Sequence, residues 1–205
     1  MSITFYYSPM TSSTRVHWAL EELEIPYEKI KVDLGAGQQR SPEFLAINPN
    51  GKVPTLVIDG EPIFESLAML LYLGETWGVP RGLFPPPGLV RARAYKWLSW
   101  AQATLAEAVS RLLRNTSERF PAEERNAAAG ATAKADLQAL LLIVERELGD
   151  RPYLLGDEFT FADLAIVGFL PFLARLGVDL APTPRVQAWL GRAMARPALA
   201  RAMQG

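Results

Sequence analysis

Hydrophobic and polar positions follow two rhythms along this chain, and the change falls near residue 80. Residues 3–7 (ITFYY) gather β-branched and aromatic side chains and end at Ser8-Pro9, which predicts a strand closed by a turn. From about Ser13 the apolar positions Val16, Ala19, Leu20 and Leu23 are spaced i, i+3, i+4, i+7, the stripe of an amphipathic helix. Pro26 ends that helix, and residues 27–32 (YEKIKV) read as a second strand, parallel to the first across the βαβ crossover. A short helix is expected after Pro42 through Leu45, stopped by Asn48-Pro49-Asn50-Gly51. Residues 55–58 and 61–64 flank Asp59-Gly60, a two-residue type I′ hairpin signal. Ser66 then opens a helix over LAMLLYLGETW. The predicted order is β-α-β-α-β-β-α, a mixed sheet with helices on its faces.

Residues 78–88 (GVPRGLFPPPG) hold three Gly and four Pro, a density that opposes helix and central strand alike and predicts a linker. Beyond it the pattern is helical throughout. Ala94, Trp97, Leu98, Ala101, Leu105, Ala108, Val109 and Leu112 form one long stripe, and Leu137, Leu140, Leu141, Val144 and Leu148 another. Thr160-Phe161-Ala162-Asp163 has the position of a capping box, with Asp in place of Glu or Gln, ahead of LAIVGFLPFL. Pro171 is expected to kink or end that helix, with two short helices after Pro184 and Pro197. The expected domains are therefore residues 1–77, mixed α+β; residues 78–88, linker; and residues 89–205, all helical.

Composition narrows the chemistry. Lys and Arg total 21 against 22 Asp and Glu, so the chain offers no global field for nucleic acid or an anionic membrane. Polar residues break every apolar run well short of ~20 residues, and no basic stretch precedes the apolar N-terminus, so the reading is cytoplasmic. With no cysteine and one histidine, disulfides, a thiolate nucleophile and a metal site are not expected. Thiol chemistry here requires a thiol from outside.

Three features of the first domain suit a zwitterionic, peptide-like ligand. The turn after the first strand carries hydroxyls at Thr11, Ser12, Ser13 and Thr14 beside a helix N-terminus, where an anion is stabilised; capping alone accounts for one of them. Val53-Pro54 enters a strand. A trans proline at an edge is the ordinary reading, whereas a cis bond would turn the Val53 backbone toward a peptide that pairs like an added strand. Glu65-Ser66 precedes a helix with Met at residue 69, so no side chain completes a capping box and the helix start stays open to a carboxylate. Ser13 and His17 stand i, i+4, but no orienting acid or G-x-S-x-G elbow accompanies them, so a packing role for His17 outweighs hydrolysis.

The runs YYSPMTSSTRVHWALEELEIPYE, NPNGKVPTL and FES, followed by the proline-rich linker and TFADLAIVGFLPFLARLG, resemble soluble glutathione transferases over essentially the whole chain. The resemblance implies a thioredoxin-like N-terminal domain, an all-helical C-terminal domain and glutathione as co-substrate. It is closest to the classes with a serine- or threonine-type site (theta, phi, delta), whose activating hydroxyl sits four residues before an arginine such as Arg15, here Thr11. The bacterial beta-class cysteine falls on Ser12, and that class's helical histidine on Ala106. Peptide pairing falls on Val53 and Pro54, the γ-glutamyl end on Glu65 and Ser66, and the glycine carboxylate on Gln39 and Arg40; the residue before Val-Pro, often Gln in the family, is Lys52 here. Met10 and Trp100 are candidates for the electrophile pocket.

The expected function is addition of the glutathione sulfur to a hydrophobic electrophile by a homodimer, without metal, nucleic acid or membrane. The alternatives are a glutathione-dependent isomerase, a disulfide or peroxide reductase, and a non-catalytic scaffold on the same fold. Glu65-Ser66 and Val53-Pro54 favour glutathione binding over the scaffold.

Overall fold

The computed structural model describes residues 1–204, which divide by their contacts into two units. The first holds a four-stranded sheet in the order β2-β1-β3-β4. Strand β1 (Ile3–Tyr7) runs parallel to the edge strand β2 (Glu28–Lys31) and antiparallel to β3 (Thr55–Ile58), which pairs antiparallel with β4 (Glu61–Phe64). Asp59 and Gly60 both have positive φ, as the I′ turn between β3 and β4 requires. Helix α1 (Ser13–Leu23) buries Val16, Ala19, Leu20 and Leu23, the stripe its spacing predicts. Helix α2 (Pro42–Ile47) starts where the Ser41 hydroxyl accepts from Phe44 N–H, with Pro42 in its first turn. Helix α3 (Ser66–Leu73) runs into a π turn at Gly74–Gly78. Phe5, Val16, Trp18, Leu20, Leu23, Leu56, Met69, Leu70 and Leu73 make a core without solvent contact of any size, each large side chain contributing about 1.5–3 kcal/mol by burial.

The proline-rich segment is docked rather than loose. Leu83 and Phe84 are buried, and the Phe84 ring lies so close over Gly74 that a Cβ there would meet it at 2.4 Å.

The second unit spans residues 89–194. Its first stripe is one helical run in three parts: α4 (Leu89–Trp100), a π turn at Ala101–Leu105, and α5 (Ala106–Thr116). Helix α6 (Ala127–Leu148) follows, capped by Asn126, whose side chain accepts from Ala129 N–H. Helices α7 (Phe161–Val167), α8 (Leu170–Arg175) and α9 (Pro184–Met194) complete it. Asp163, buried at the start of α7, accepts from Leu154 N–H, Trp189 Nε1, and both the N–H and the hydroxyl of Thr160. The helix after Thr160 stops at Val167, with Gly168 as its C-cap, ahead of the expected break; Pro171 sits in the first turn of α8 instead.

The last helix, α10 (Pro197–Met203), differs from the sequence grouping, which carried the helical domain to residue 205. Its contacts are with α1, and residues 195–204 belong to the first unit. Two arginines hold it there. Arg196 makes a two-pronged contact with Glu22 at 2.6 and 2.7 Å, and Arg201 reaches Glu21 at 2.7 Å. The Glu22 carboxylate is largely buried and also accepts from Trp18 Nε1, so the Arg196 pair is the more strongly sheltered of the two.

Candidate functional site

Strand register gathers the candidate residues of the first unit. Tyr6 pairs with Thr55 and Thr55 with Phe64, so the next residues outward, 7–8, 53–54 and 65–66, fall together at one end of the sheet. The turn leading into α1 lies at the same end.

That turn is locked by its own hydroxyls. Thr11 Oγ1 donates to the Ser8 carbonyl at 2.7 Å, stands 2.9 Å from Ser13 Oγ, and accepts from Ser13 N–H at 3.1 Å. Ser13 Oγ in turn accepts from Ser8 N–H at 3.3 Å. Ser12 caps nothing: it already has helical φ and ψ, and its hydroxyl lies 3.4 Å from the Val53 carbonyl, the outer limit of a hydrogen bond. Met10 has φ +56°, and its side chain is 59% exposed.

The Val53-Pro54 peptide is cis, the minority alternative for an X-Pro bond. The segment before it is fixed by Asn48, which is buried. Asn48 Nδ2 donates to the Lys52 carbonyl at 2.7 Å and to Thr55 Oγ1 at 2.9 Å, while its Oδ1 accepts from Asn50 N–H. Gly51 has φ +59°, and a Cβ there would meet the Gln39 carbonyl at 2.9 Å and Arg40 Nη1 at 3.2 Å. This close approach brings Gln39 and Arg40 beside Lys52 and Val53. Gln39 Oε1 is buried without a hydrogen-bond partner. Lys52 and Arg40 are exposed and form no ion pair among the described residues.

Glu65 is the N-cap of α3, and Ser66, expected as the cap, is instead the first helical residue. Glu65 takes φ +71° and ψ +111°, outside the usual N-cap region, while its carbonyl accepts from Met69 N–H. Of the non-glycine residues with positive φ, Asp59 serves the hairpin and Glu24 ends α1; Met10 and Glu65 have neither excuse and flank the sheet end. Such backbone costs on the order of 1–3 kcal/mol and concentrates at functional positions. Ser66 is buried and lies 3.5 Å from Arg15 Nη2. Burial pulls the Arg15 guanidinium down to about 10, which leaves it charged at neutral pH. A fixed positive charge thus stands behind the start of α3 and in the helix that follows the hydroxyl turn.

Beside the turn is a cavity of about 140 Å³, with Tyr7, Met10, Thr14 and His17 on one side and Ala202 and Met203 of α10 on the other. His17 is 3% exposed, its ring tilted against Phe5 and Tyr7 and edge-on to Tyr27. Burial, with help from Lys29, holds its imidazole below the usual histidine range; Glu21 and the Ala202 backbone pull the other way. It therefore packs as a neutral ring, as the missing triad partners suggested. Met10 lines this cavity. Trp100 lies in the second unit at the end of α4, its ring edge-on to Trp97 at 5.4 Å. Among the described residues, no group of His, Asp and Glu is arranged to hold a metal ion.

Sequence reasoning missed Asn48 and the α10 residues. Asn48 was read only as part of a helix-stopping turn. Arg196 and Arg201 lie more than 170 residues from the glutamates they meet, and no local pattern pairs them.

Comparison with known proteins bears on this geometry. The glutathione S-transferase N-terminal domain family matches residues 1–75, and the corresponding C-terminal domain family matches residues 97–197. The chain is 37% identical over 191 residues to glutathione S-transferase GstB of Escherichia coli (strain K12), covering 92% of this chain and 91% of that protein. It is 33% identical over 208 residues to the disulfide-bond oxidoreductase YfcG of the same organism, covering 98% and 94%. Among solved structures, Ure2p in complex with glutathione superposes with a TM-score of 0.90 at 26% identity, covering 100% of this chain and 93% of that one. With a mixed sheet in its first unit, a helical second unit and matches along nearly its whole length, the chain belongs to the glutathione S-transferase family.

Proposed function

We propose that this protein binds glutathione at the sheet end of its first unit and transfers the glutathione sulfur to hydrophobic electrophiles in the cytoplasm, as a homodimer. The observation that carries the reading is the strand register, which sets the Val53 backbone, the Glu65-Ser66 helix start and the hydroxyl turn side by side. In this arrangement the peptide's backbone pairs with Val53. Its γ-glutamyl carboxylate meets Ser66 and the α3 terminus, with the Arg15 charge behind, and its ammonium meets Glu65. The glycine carboxylate meets Gln39, Arg40 and Lys52.

The chemistry follows from the thiol. A thiol with pKa near ~8.5 is only a few per cent thiolate at neutral pH, and the thiolate is the nucleophile. One hydrogen bond to the anion, worth roughly 1.5–3 kcal/mol, lowers that pKa by about one to two units, since each unit corresponds to about 1.4 kcal/mol. A hydroxyl of the turn at Thr11 or Ser12 supplies it without acting as a base. The thiolate then attacks the electrophilic carbon, forming a C–S bond as the leaving group departs with its electron pair, and proximity supplies much of the rate. Met10 and the cavity beside it accept apolar parts of the electrophile.

The test is retention on immobilised glutathione with elution by free ligand, followed by conjugation of chlorodinitrobenzene. Retention with turnover supports the transferase. Absence of retention defeats the reading, and retention without turnover reduces it to a binding protein. Sedimentation at the mass of one chain would refute the homodimer.

Similarity to YfcG over 98% of the chain favours a second reading, glutathione-dependent disulfide reduction. The protein has no cysteine, so exchange would run between small thiols alone. One bound glutathione thiolate attacks a disulfide, releasing one thiolate and forming a mixed disulfide. A second glutathione resolves it to oxidised glutathione and a second thiol, so two glutathiones are oxidised per disulfide reduced. Turnover of hydroxyethyl disulfide exceeding that of chlorodinitrobenzene would select this reading.

A further inference from the structure

We propose that Met10 and Met203 form an oxidation site: a hydroperoxide converts their thioethers to sulfoxides, and the cavity they line then loses its affinity for apolar groups. This rests on the electrophile reading of that cavity given above and adds to it a control by oxidants. Sulfur oxidation within the chain has few places to act. There is no cysteine, so the five methionines hold its only sulfur atoms. Met69 is fully buried in the core. Met1, Met10, Met194 and Met203 are exposed, and of these Met10 and Met203 line the cavity.

Both residues are placed where oxidation has a consequence. Met10 lies between β1 and α1, and Met203 ends α10, which packs on α1. Their exposures of 59% and 64% leave both side chains within reach of a small oxidant in solvent, although each is also part of the cavity wall. Met10 takes φ +56°, where glycine or asparagine is the usual choice and a long side chain is strained. Strain of this kind persists where the side chain is needed, and here the side chain is a wall. Methionine suits such a wall because its unbranched thioether adapts to apolar groups of varied shape.

In the reaction, a lone pair of the thioether sulfur attacks an oxygen of the hydroperoxide. An S–O bond forms as the O–O bond breaks. The transferred oxygen gives its proton to the departing oxygen, which leaves as water or an alcohol. Sulfur is oxidised by two electrons and the peroxide is reduced by the same two. The sulfoxide is polar where the thioether was apolar. Turned inward, its oxygen puts a strong acceptor into the cavity; turned outward, it draws the side chain off the wall into water. Either way an apolar group on the sulfur of bound glutathione loses its lining. Glutathione itself, held by other residues at the sheet end in the reading above, keeps its contacts. No cysteine in the chain can reduce the sulfoxide, so reversal requires a methionine sulfoxide reductase and a dithiol.

The experiment treats the full chain with hydrogen peroxide and maps oxygen uptake at each methionine by peptide mass spectrometry. Binding of S-benzylglutathione and S-methylglutathione is measured by calorimetry before and after. Oxygen is expected at Met10 and Met203, and at Met1 and Met194 as bystanders, with Met69 untouched while the fold is intact. Affinity for S-benzylglutathione should fall about tenfold, which corresponds to about 1.4 kcal/mol, while that for S-methylglutathione holds. Methionine sulfoxide reductases with a dithiol should restore the preference for the benzyl ligand. The double variant Met10→Leu, Met203→Leu should keep through the treatment whatever benzyl preference it starts with. Met194→Leu should lose that preference as wild type does. The wild-type comparison decides the question even where a variant folds poorly. Sulfoxide at both residues with an unchanged benzyl preference overturns the inference. So does the absence of oxygen at both, or an equal loss of preference in the double variant. Each of these leaves the transferase standing. Untreated wild type that binds neither conjugate defeats the inference together with the function it rests on.

Discussion

The buried carboxylates of the second unit and the sheet end of the first treat their hydrogen-bonding capacity in opposite ways. In the second, buried carboxylates are saturated. Asp163 collects four donors from Leu154, Thr160 and Trp189, and Glu145 of α6 accepts from the Arg185 and Val186 N–H groups at the start of α9. Burial pushes the Asp163 carboxyl up, and its hydrogen bonds to Leu154, Thr160 and Trp189 pull it back. In the first unit, by contrast, the sheet end keeps donors unspent at Ser12, an unpartnered Gln39 Oε1, exposed cations at Arg40 and Lys52, and positive φ at Met10 and Glu65. The buried carboxylates of the second unit act as staples, whereas the open groups at the sheet end of the first are those the glutathione reading uses.

That contrast can be broken from either side. The largest effect is expected for Asp163→Ala, which strands four donors in the interior and should destabilise the protein by about 3–5 kcal/mol in urea unfolding. A loss below about 1 kcal/mol would show that Asp163 is no staple. Glu65→Gly should go the other way, gaining about 1 kcal/mol of stability by relieving the positive φ while weakening glutathione binding. If calorimetry shows both stability and affinity rising, the strain has no connection with the ligand. Arg201→Ala removes a half-exposed pair with Glu21 and should cost no more than about 1 kcal/mol, less than Arg196→Ala, because the Glu22 carboxylate is the more deeply buried.

The smallest effect concerns pH. His17 has a folded pKa below its unfolded value of about 6.5, so the unfolded chain binds more protons in that window. The stability that a neutral His17 contributes is complete above the unfolded pKa and is lost as pH falls through it. Wild type should therefore lose stability on going from neutral to mildly acidic pH, and His17→Gln should flatten that slope. An equal slope in the variant would place the proton uptake elsewhere.

Much of the first unit was legible because its elements are short and sharply punctuated. ITFYY before Ser-Pro, TLVI before Asp-Gly and the Val16-to-Leu23 stripe each announce their element within a few residues. The candidate site was legible as separate segments at 11–12, 53–54 and 65–66, since each carries its own turn or cap signal. Their adjacency was not, because it depends on the pairings Tyr6 with Thr55 and Thr55 with Phe64. Asn48 looked like a helix stop, and only its contacts with Lys52 and Thr55 reveal it as the brace of the Val53 segment.

By itself the sequence determined the order of elements, the change from mixed to helical rhythm, and the absence of any thiol in the chain. These are properties of local pattern and composition, which need no partner far along the chain. Tertiary structure alone decided that α10 returns to α1, that Arg196 and Arg201 find Glu22 and Glu21, and which hydroxyls of the turn are already engaged. Those outcomes depend on which groups meet across long separations and on the geometry in which they meet, and periodicity carries neither.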